Sequence, residues 1–402
     1  MEAGTSINTN ASYTDAFATA LTNRSKLHLP IMDIFYLKNA ALYQSYVDKV
    51  DPTKPQAHFS NVPLQATEKK DNDNPNMTIS VRVRPMLEDD IASGFPRAVY
   101  PRAHDSTAKH QTIDLHDLYN HPRRPRPILR SSTHKLQKVF DASASTARVY
   151  DEVVRDLVLS AADGKLGTLF AYGQTSSGKT FTVTELQKLA VAELIGRQTE
   201  LHITVVELSG NVAFDLLNQR ERIAVREDAS GTTRLVGAIE QRVSDKEQAV
   251  DLLEKAMSFR RAAPTLKNPA SSRSHCICRI RVAQSASREQ GYLYMIDLAG
   301  SEAARDVAEH GPETMRETRD NNVSLSVLKD CIRQRALAAS SNKKVHVPVR
   351  GSTLTKILKH VFDPEVSQER KTVVIACVNP SLGDVSSSKN TLRYAELLGK
   401  ID

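Results

Sequence analysis

The stretch "GTLFAYGQTSSGKTFT", Gly167 to Thr182, decides how this chain is read. An apolar run is followed by a turn with glycine at both ends and then by Gly178-Lys179-Thr180. Strand, glycine-rich turn and helix in that order aim backbone N–H groups and a helix N-terminus at a phosphate. In such a loop the lysine reaches the outer phosphates and the threonine hydroxyl reaches Mg²⁺, so the pattern predicts a nucleotide site.

Outward from this loop, apolar strands alternate with helical patterns: "TISVRV", "HITVVELSG", "HCICRIRVA", "YLYMIDLAG" and "TVVIACVNP". Nearly continuous Val, Ile and Leu runs mark strands buried on both faces. Their alternation with helices predicts an α/β fold with a mostly parallel or mixed sheet covered on both sides. In "HCICRIRV", Cys276 and Cys278 share one strand face with Ile280 and Val282, which reads as core packing and not as a metal pair. No linker-like gap interrupts 77–402, which is read as one domain. Before it, 1–76 is read as an N-terminal extension: "DIFYLKNAALYQSYV" carries loose helical spacing, and "DPTKP" to "EKKDNDNPN" reads as a linker.

Composition narrows the partners. With 402 residues, 40% hydrophobic and 25% charged, the chain is globular, and its N-terminus "MEAGTSINTN" lacks the pattern of a signal peptide, so a cytoplasmic protein is expected. No apolar run reaches membrane-spanning length, so no membrane partner is expected. Four scattered cysteines do not make a disulfide framework. A net charge of +7, with basic clusters in "HPRRPRPILR" and at Lys343, Lys344, Lys356 and Lys359, suits an acidic partner. DNA or RNA is not expected: there is no Trp, few aromatic residues flank the basic runs, and no nucleic-acid module is recognisable.

Two further motifs would have to meet at the phosphate. "DLAGSE", Asp297 to Glu302, follows a strand; its aspartate can hold the water shell of Mg²⁺, and its glycine lets a backbone N–H approach the γ-phosphate. "NPASSRSH", Asn268 to His275, offers serine hydroxyls and the Arg273 guanidinium, a bidentate partner for a carboxylate. Alone, the first reads as an ordinary strand-to-loop turn and the second as a polar loop. Together they describe a switch, because Arg273 and Glu302 can bridge only when both loops close over a γ-phosphate.

The series "VRVRP", "FAYGQTSSGKT", "NPASSRSH", "DLAGSE", "NVSLSVLKDCIR", "HVPVRGSTLTKIL" and "NTLRYAELLGKI" resembles the kinesin motor domain in order and spacing, over about residues 77 to 401. The resemblance implies an ATPase with a kinesin-type fold that uses Mg²⁺. It places Arg82, Arg84 and Pro85 around the adenine, and Gly173, Gln174, Thr175, Ser176, Ser177, Gly178, Lys179, Thr180 and Phe181 around the nucleotide. Ser271, Ser272 and Arg273 correspond to a first switch; Asp297, Gly300 and Glu302 correspond to a second. Ser272, Arg273, Gly300 and Glu302 are the implied catalytic set, and Thr180, Ser272 and Asp297 the Mg²⁺ set, partly through water. Ser176 stands where kinesins usually have glycine, a change that matters only if the backbone there takes a positive φ. Ala303 stands where many relatives carry arginine.

Three stretches are similar to the microtubule-depolymerising kinesin-13 class: Phe214 to Asp245, "RGSTLT", and "AKHQTIDLHDLY", which resembles that class's finger. The finger tip would be Thr112, Ile113 and Asp114, with Lys109 nearby. The implied tubulin face comprises Lys329, Asp330, Cys331, Arg333, Lys343, Lys344, Arg350, Lys356 and Lys359. Thr353 replaces a lysine expected on it. Tubulin and microtubules are the expected partners, and a microtubule cytoskeletal location the expected one. A translocating kinesin, a silent microtubule-binding protein and a nucleotide kinase or small GTPase are the competing readings; the last shares only the phosphate loop.

Overall fold

The computed structural model describes residues 31–50, 76–102, 110–197, 199–229, 231–261, 273–283, 290–302, 312–340, 346–362 and 369–399. Its strands are β1 (Met77–Val83), β2 (Val99–Pro101), β3 (Gln111–Tyr119), β4 (Ile128–Leu136), β5 (Lys138–Phe140), β6 (Leu166–Tyr172), β7 (Glu200–Ser209), β8 (Val212–Asp215), β9 (Glu221–Glu227), β10 (Thr233–Val236), β11 (Gln241–Val243), β12 (His275–Ala283), β13 (Gly291–Asp297) and β14 (Arg370–Val378). The main sheet runs β10-β9-β8-β7-β12-β13-β6-β14-β1-β5, with β11 also paired to β7.

This sheet is mixed. β13, β6, β14, β1 and β5 are mutually parallel, whereas β12 is antiparallel to both β7 and β13. β6, the strand that feeds the phosphate loop, is buried along its whole length, as expected for a central parallel strand. Helices cover both faces and divide the core into two apolar clusters. Cys276, Cys278, Ile280 and Val282 are all buried in the second, as the strand alternation predicts. No group of three potential metal ligands occurs among the described residues.

A second, three-stranded sheet, β2-β3-β4, stands beside the first. Its long hairpin turns at residues 120–127. The apolar run before "DPTKP" forms two helices, Ile31–Lys38 and Ala40–Val47, broken at Asn39. Although they precede the boundary expected at Met77, Tyr36 and Tyr43 are buried in the same cluster as Ile113, Leu115 and Leu118 of the hairpin.

Candidate nucleotide site

The phosphate loop, residues 173–178, joins β6 to the helix Lys179–Gly196. Gly173 has φ 150°, and a Cβ there would lie 2.3 Å from the Cys377 carbonyl oxygen, so the loop leaves its strand in a way only glycine permits. Ser176 has φ 61°, the left-handed region. The departure at this position therefore carries backbone strain of about 1–2 kcal/mol. Its carbonyl accepts from Arg84 Nε at 2.7 Å, which helps to hold the conformation.

Lys179 is buried, and its Nζ donates to the Gln174 carbonyl at 2.7 Å. Burial lowers its pKa, opposed by the nearby carboxylates of Asp297 and Glu302. Asp297, at the end of β13, accepts on Oδ2 from Thr180 Oγ1 at 2.7 Å and from Arg260 Nη1 at 2.6 Å. Arg260 is fully buried and also donates to the Ser274 carbonyl at 2.7 Å. Asp297 Oδ1 and Gln174 Oε1 are buried polar atoms without a partner among the described residues. A buried carboxylate oxygen left open beside a lysine and a threonine hydroxyl fits a hydrated Mg²⁺ with phosphate, since such orphans otherwise cost 1–3 kcal/mol or more, by the usual rough scale.

The expected second switch, "DLAGSE", lies against this loop. Ser301 N–H donates to the Gly173 carbonyl at 3.1 Å. The Glu302 carboxylate accepts from Thr175 N at 3.0 Å and from the Thr175 hydroxyl. It passes directly over Gly300, where a Cβ would meet its oxygens at 2.3 and 2.4 Å. Glu302 thus rests on the phosphate loop, and its described contacts do not include the expected bridge to Arg273. Arg273 is buried, and its carbonyl accepts from Asn321 Nδ2 at 2.6 Å. Ser271 and Ser272, like Lys109, Lys343 and Lys344, lie outside the described residues.

Where the adenine is expected, Arg82 places its guanidinium 5.6 Å from the centre of the exposed Phe181 ring and donates to Thr182 and Thr146. Arg84 is different. It is buried in a bidentate pair with Asp90, at 2.5 and 2.9 Å, and supports the loop from behind.

Sequence reading passed over the residues that join the two switches to the long helix Pro312–Ser340. His275 Nδ1 accepts from Ala299 N–H at 3.0 Å, which makes its Nε2–H the donor to Ser324 Oγ at 2.7 Å. Asn322 Nδ2 donates to the Glu302 carbonyl at 3.3 Å. Asn321 and Ser324 are held by the first switch strand and Asn322 by the second, all on one stretch of helix. His275 closes "NPASSRSH" and Asn322 and Ser324 open "NVSLSVLKDCIR", so the motifs contained them; Arg260 and Asn321 carried no such mark.

Several expected tubulin contacts need correction. Thr112, Ile113 and Asp114 do not form a tip: they lie within β3, paired with both β2 and β4 for Ile113 and Asp114, and those two are 0% and 3% exposed. Asp114 is held by Arg102 at 2.7 Å and by Thr133 at 2.5 Å. The tip is the turn 120–127, where Arg123, Arg124 and Arg126 are exposed. Cys331 is fully buried on the inner face of the long helix. Lys329 Nζ sits 5.4 and 4.7 Å from the ring centres of Tyr172 and Tyr394, turned toward the protein. Thr353 is buried and bonded to Asn211 at 3.0 and 3.1 Å.

Other members of that face do reach the surface. Asp330 and Arg333 are partly exposed and pair at 3.3 Å. Arg350 is exposed yet paired with Glu227 at 2.7 Å, and Glu227 also accepts from Lys359 at 2.8 Å. Lys356 lines a groove of about 500 Å³ with Arg222 and Arg350.

Comparison with known proteins points to one family. The Kinesin motor domain family matches residues 82–401. The chain is 35% identical to diatom spindle kinesin-1 from Cylindrotheca fusiformis, over 80% of this chain and 50% of that protein. It is 34% identical to kinesin-like protein KIN-13B from Arabidopsis thaliana, over 71% of this chain and 43% of that one. The chain therefore spans half or less of the length of these relatives. Among solved structures, it superposes on a KIF14 dimer with AMP-PNP in complex with a microtubule, with TM-score 0.65 and 25% identity, covering 81% of this chain and 94% of that one.

Proposed function

This chain belongs to the kinesin motor-domain family, and on that premise we propose that it hydrolyses ATP while engaging microtubules and that it disassembles their ends. The observation that carries the ATPase reading is the convergence on one phosphate loop of Lys179, the Thr180–Asp297–Arg260 chain and Glu302, with Asp297 Oδ1 left open. Phosphoryl transfer asks for a positioned water and neutralised charge more than for covalent help.

The residues divide that work. Buried Lys179 supplies positive charge to the substrate's outer phosphates. Thr180, Asp297 and, as an expectation carried from sequence, Ser272 would hold Mg²⁺, which supplies further charge neutralisation. Glu302 now occupies Thr175 N–H, a donor that a phosphate would claim. Substrate binding then frees its carboxylate to meet Arg273 and orient the attacking water. Because Asn322 is bonded to the Glu302 carbonyl and Ser324 to His275, that movement reaches the long helix.

Arg333 on the outer part of that helix, together with Arg350 and Lys356 beyond its end, supports an acidic partner such as tubulin. The exposed arginines at the hairpin turn take over the role expected of Thr112–Asp114: at a tip, Arg123, Arg124 and Arg126 can meet acidic tubulin, and preference for bent tubulin would shift its straight-to-bent equilibrium by the difference in affinity alone. The similarity to KIN-13B accords with the disassembly that the kinesin-13 resemblance implies; translocation, which the same ATP chemistry serves, is the second reading. A microtubule location goes with either.

ATP turnover with and without microtubules, beside the length of stabilised microtubules under the microscope, tests this. Stimulated turnover with end shortening is expected. Turnover indifferent to microtubules would sink the motor reading, and stimulation without shortening would select translocation.

A further inference from the structure

The paired helices Ile31–Lys38 and Ala40–Val47 precede every motif of the nucleotide site, yet they grip the β3–β4 hairpin at three separate points. Tyr36 OH donates to Asp117 Oδ1 at 2.9 Å, on β3. Tyr43 OH lies 2.9 Å from the Arg97 carbonyl and 3.3 Å from that of His116. Tyr46 OH donates to the Pro127 carbonyl at 3.1 Å, at the end of the basic turn. Tyr43 is fully buried, and Leu37 packs beside Gly94.

The hairpin has reason to need such support. Among the described residues its strands pair only with β2 and each other, outside the main sheet's ladder. Ile113 to His116 are nevertheless buried in succession, which requires cover on both faces of β3. The helix Val385–Gly399 provides part of it through Glu396, which meets His134 at 3.1 Å. Tyr36 and Tyr43 join the same apolar cluster as Ile113, Leu115, Leu118 and Leu136.

We infer that residues 31–50 are a positioning element for the hairpin: the three tyrosines set the stance of the turn that carries Arg123, Arg124 and Arg126. The working unit then begins near residue 31, ahead of the boundary expected from sequence. A long two-stranded projection is flexible unless other elements pack on it, and a charged tip can discriminate between shapes of a partner only if its position is held. The assignment of the tip to tubulin rests on the proposed function; the holding of the hairpin does not.

Amide hydrogen exchange on the whole chain, with Tyr36→Phe/Tyr46→Phe, provides the test. Both rings stay, so the apolar packing is kept and only the hydroxyls are lost. We expect exchange within 111–136 to quicken by about tenfold, while β6 and the helix after the phosphate loop exchange as before and basal ATP turnover is unchanged. Unchanged exchange in the hairpin would overturn the inference, and so would equal acceleration in β6, which would mean general destabilisation. If neither the parent nor the variant shortens microtubules, the disassembly reading fails, and the exchange result still decides this one.

Discussion

Glu302 and Thr175 are joined twice, through the backbone N–H at 3.0 Å and through the hydroxyl, so the acid that closes "DLAGSE" lies on the phosphate loop itself. A carboxylate there imitates the charge the loop is built to receive. Replacing it should therefore separate binding from chemistry. Glu302→Gln is expected to bind nucleotide at least as fast as the parent and to lose about 10²-fold or more in turnover. Stopped-flow binding of a fluorescent ATP analogue and a steady-state assay check the two halves; undiminished turnover would remove Glu302 from the mechanism.

Arg260 and Asp297 form a buried pair, and removing one partner leaves a charge stranded. Arg260→Ala should destabilise the fold by about 3–5 kcal/mol, with Arg260→Ala/Asp297→Asn recovering part of the loss. Urea unfolding measures both. Equal stability of the single and double variants would show that the ion pair is not what the arginine maintains.

Ser176 holds φ 61° without being glycine. Ser176→Gly should relieve strain and stabilise the protein by about 1 kcal/mol, the opposite of what glycine does in ordinary backbone. A lower unfolding midpoint in the glycine variant would contradict the left-handed geometry.

His275 is fully buried, and burial, aided by Arg260 and Lys179, lowers its pKa to about 3 from 6.5. The folded value is depressed, so this histidine's contribution is complete above pH 6.5 and is lost as pH falls toward 3. Each unit below 6.5 costs about 1.4 kcal/mol, or about 2 kcal/mol by pH 5. His275→Asn should lose less stability than the parent between pH 7 and pH 5, although it starts lower for want of two hydrogen bonds. Parallel pH slopes for the two proteins would refute the assignment.

The corrected finger divides in two. Arg123→Glu/Arg124→Glu/Arg126→Glu should leave thermal stability nearly unchanged and weaken binding to microtubules, most at low salt. Asp114→Ala should instead cost about 3 kcal/mol of stability, because Arg102 loses a buried partner. Microtubule cosedimentation at two salt concentrations, beside thermal melts, distinguishes the two effects; the triple variant binding like the parent would take the tip out of the interface.

Local chemistry made much of this protein legible in its residues. The apolar run into Gly173, the Lys179–Thr180 pair, Asp297 after its strand and the core face of Cys276 and Cys278 each follow from backbone geometry or strand alternation within a few positions. Such rules act over short separations, so one sequence suffices to read them. Ser176 shows their limit: its substitution was visible, but only the folded loop determined the sign of φ and hence the strain. The face a residue presents is decided by whatever packs against it from far along the chain. Cys331, Lys329 and Thr353 look like surface positions until Tyr172, Tyr394 and Asn211 arrive from elsewhere. The hairpin's register fixed where its tip lies, moving it from Thr112–Asp114 to the arginines of 120–127. Arg260 gained its partner, and the three tyrosines before residue 50 their hold on that hairpin, only through contacts between segments tens of residues apart, which short-range propensity and spacing do not encode.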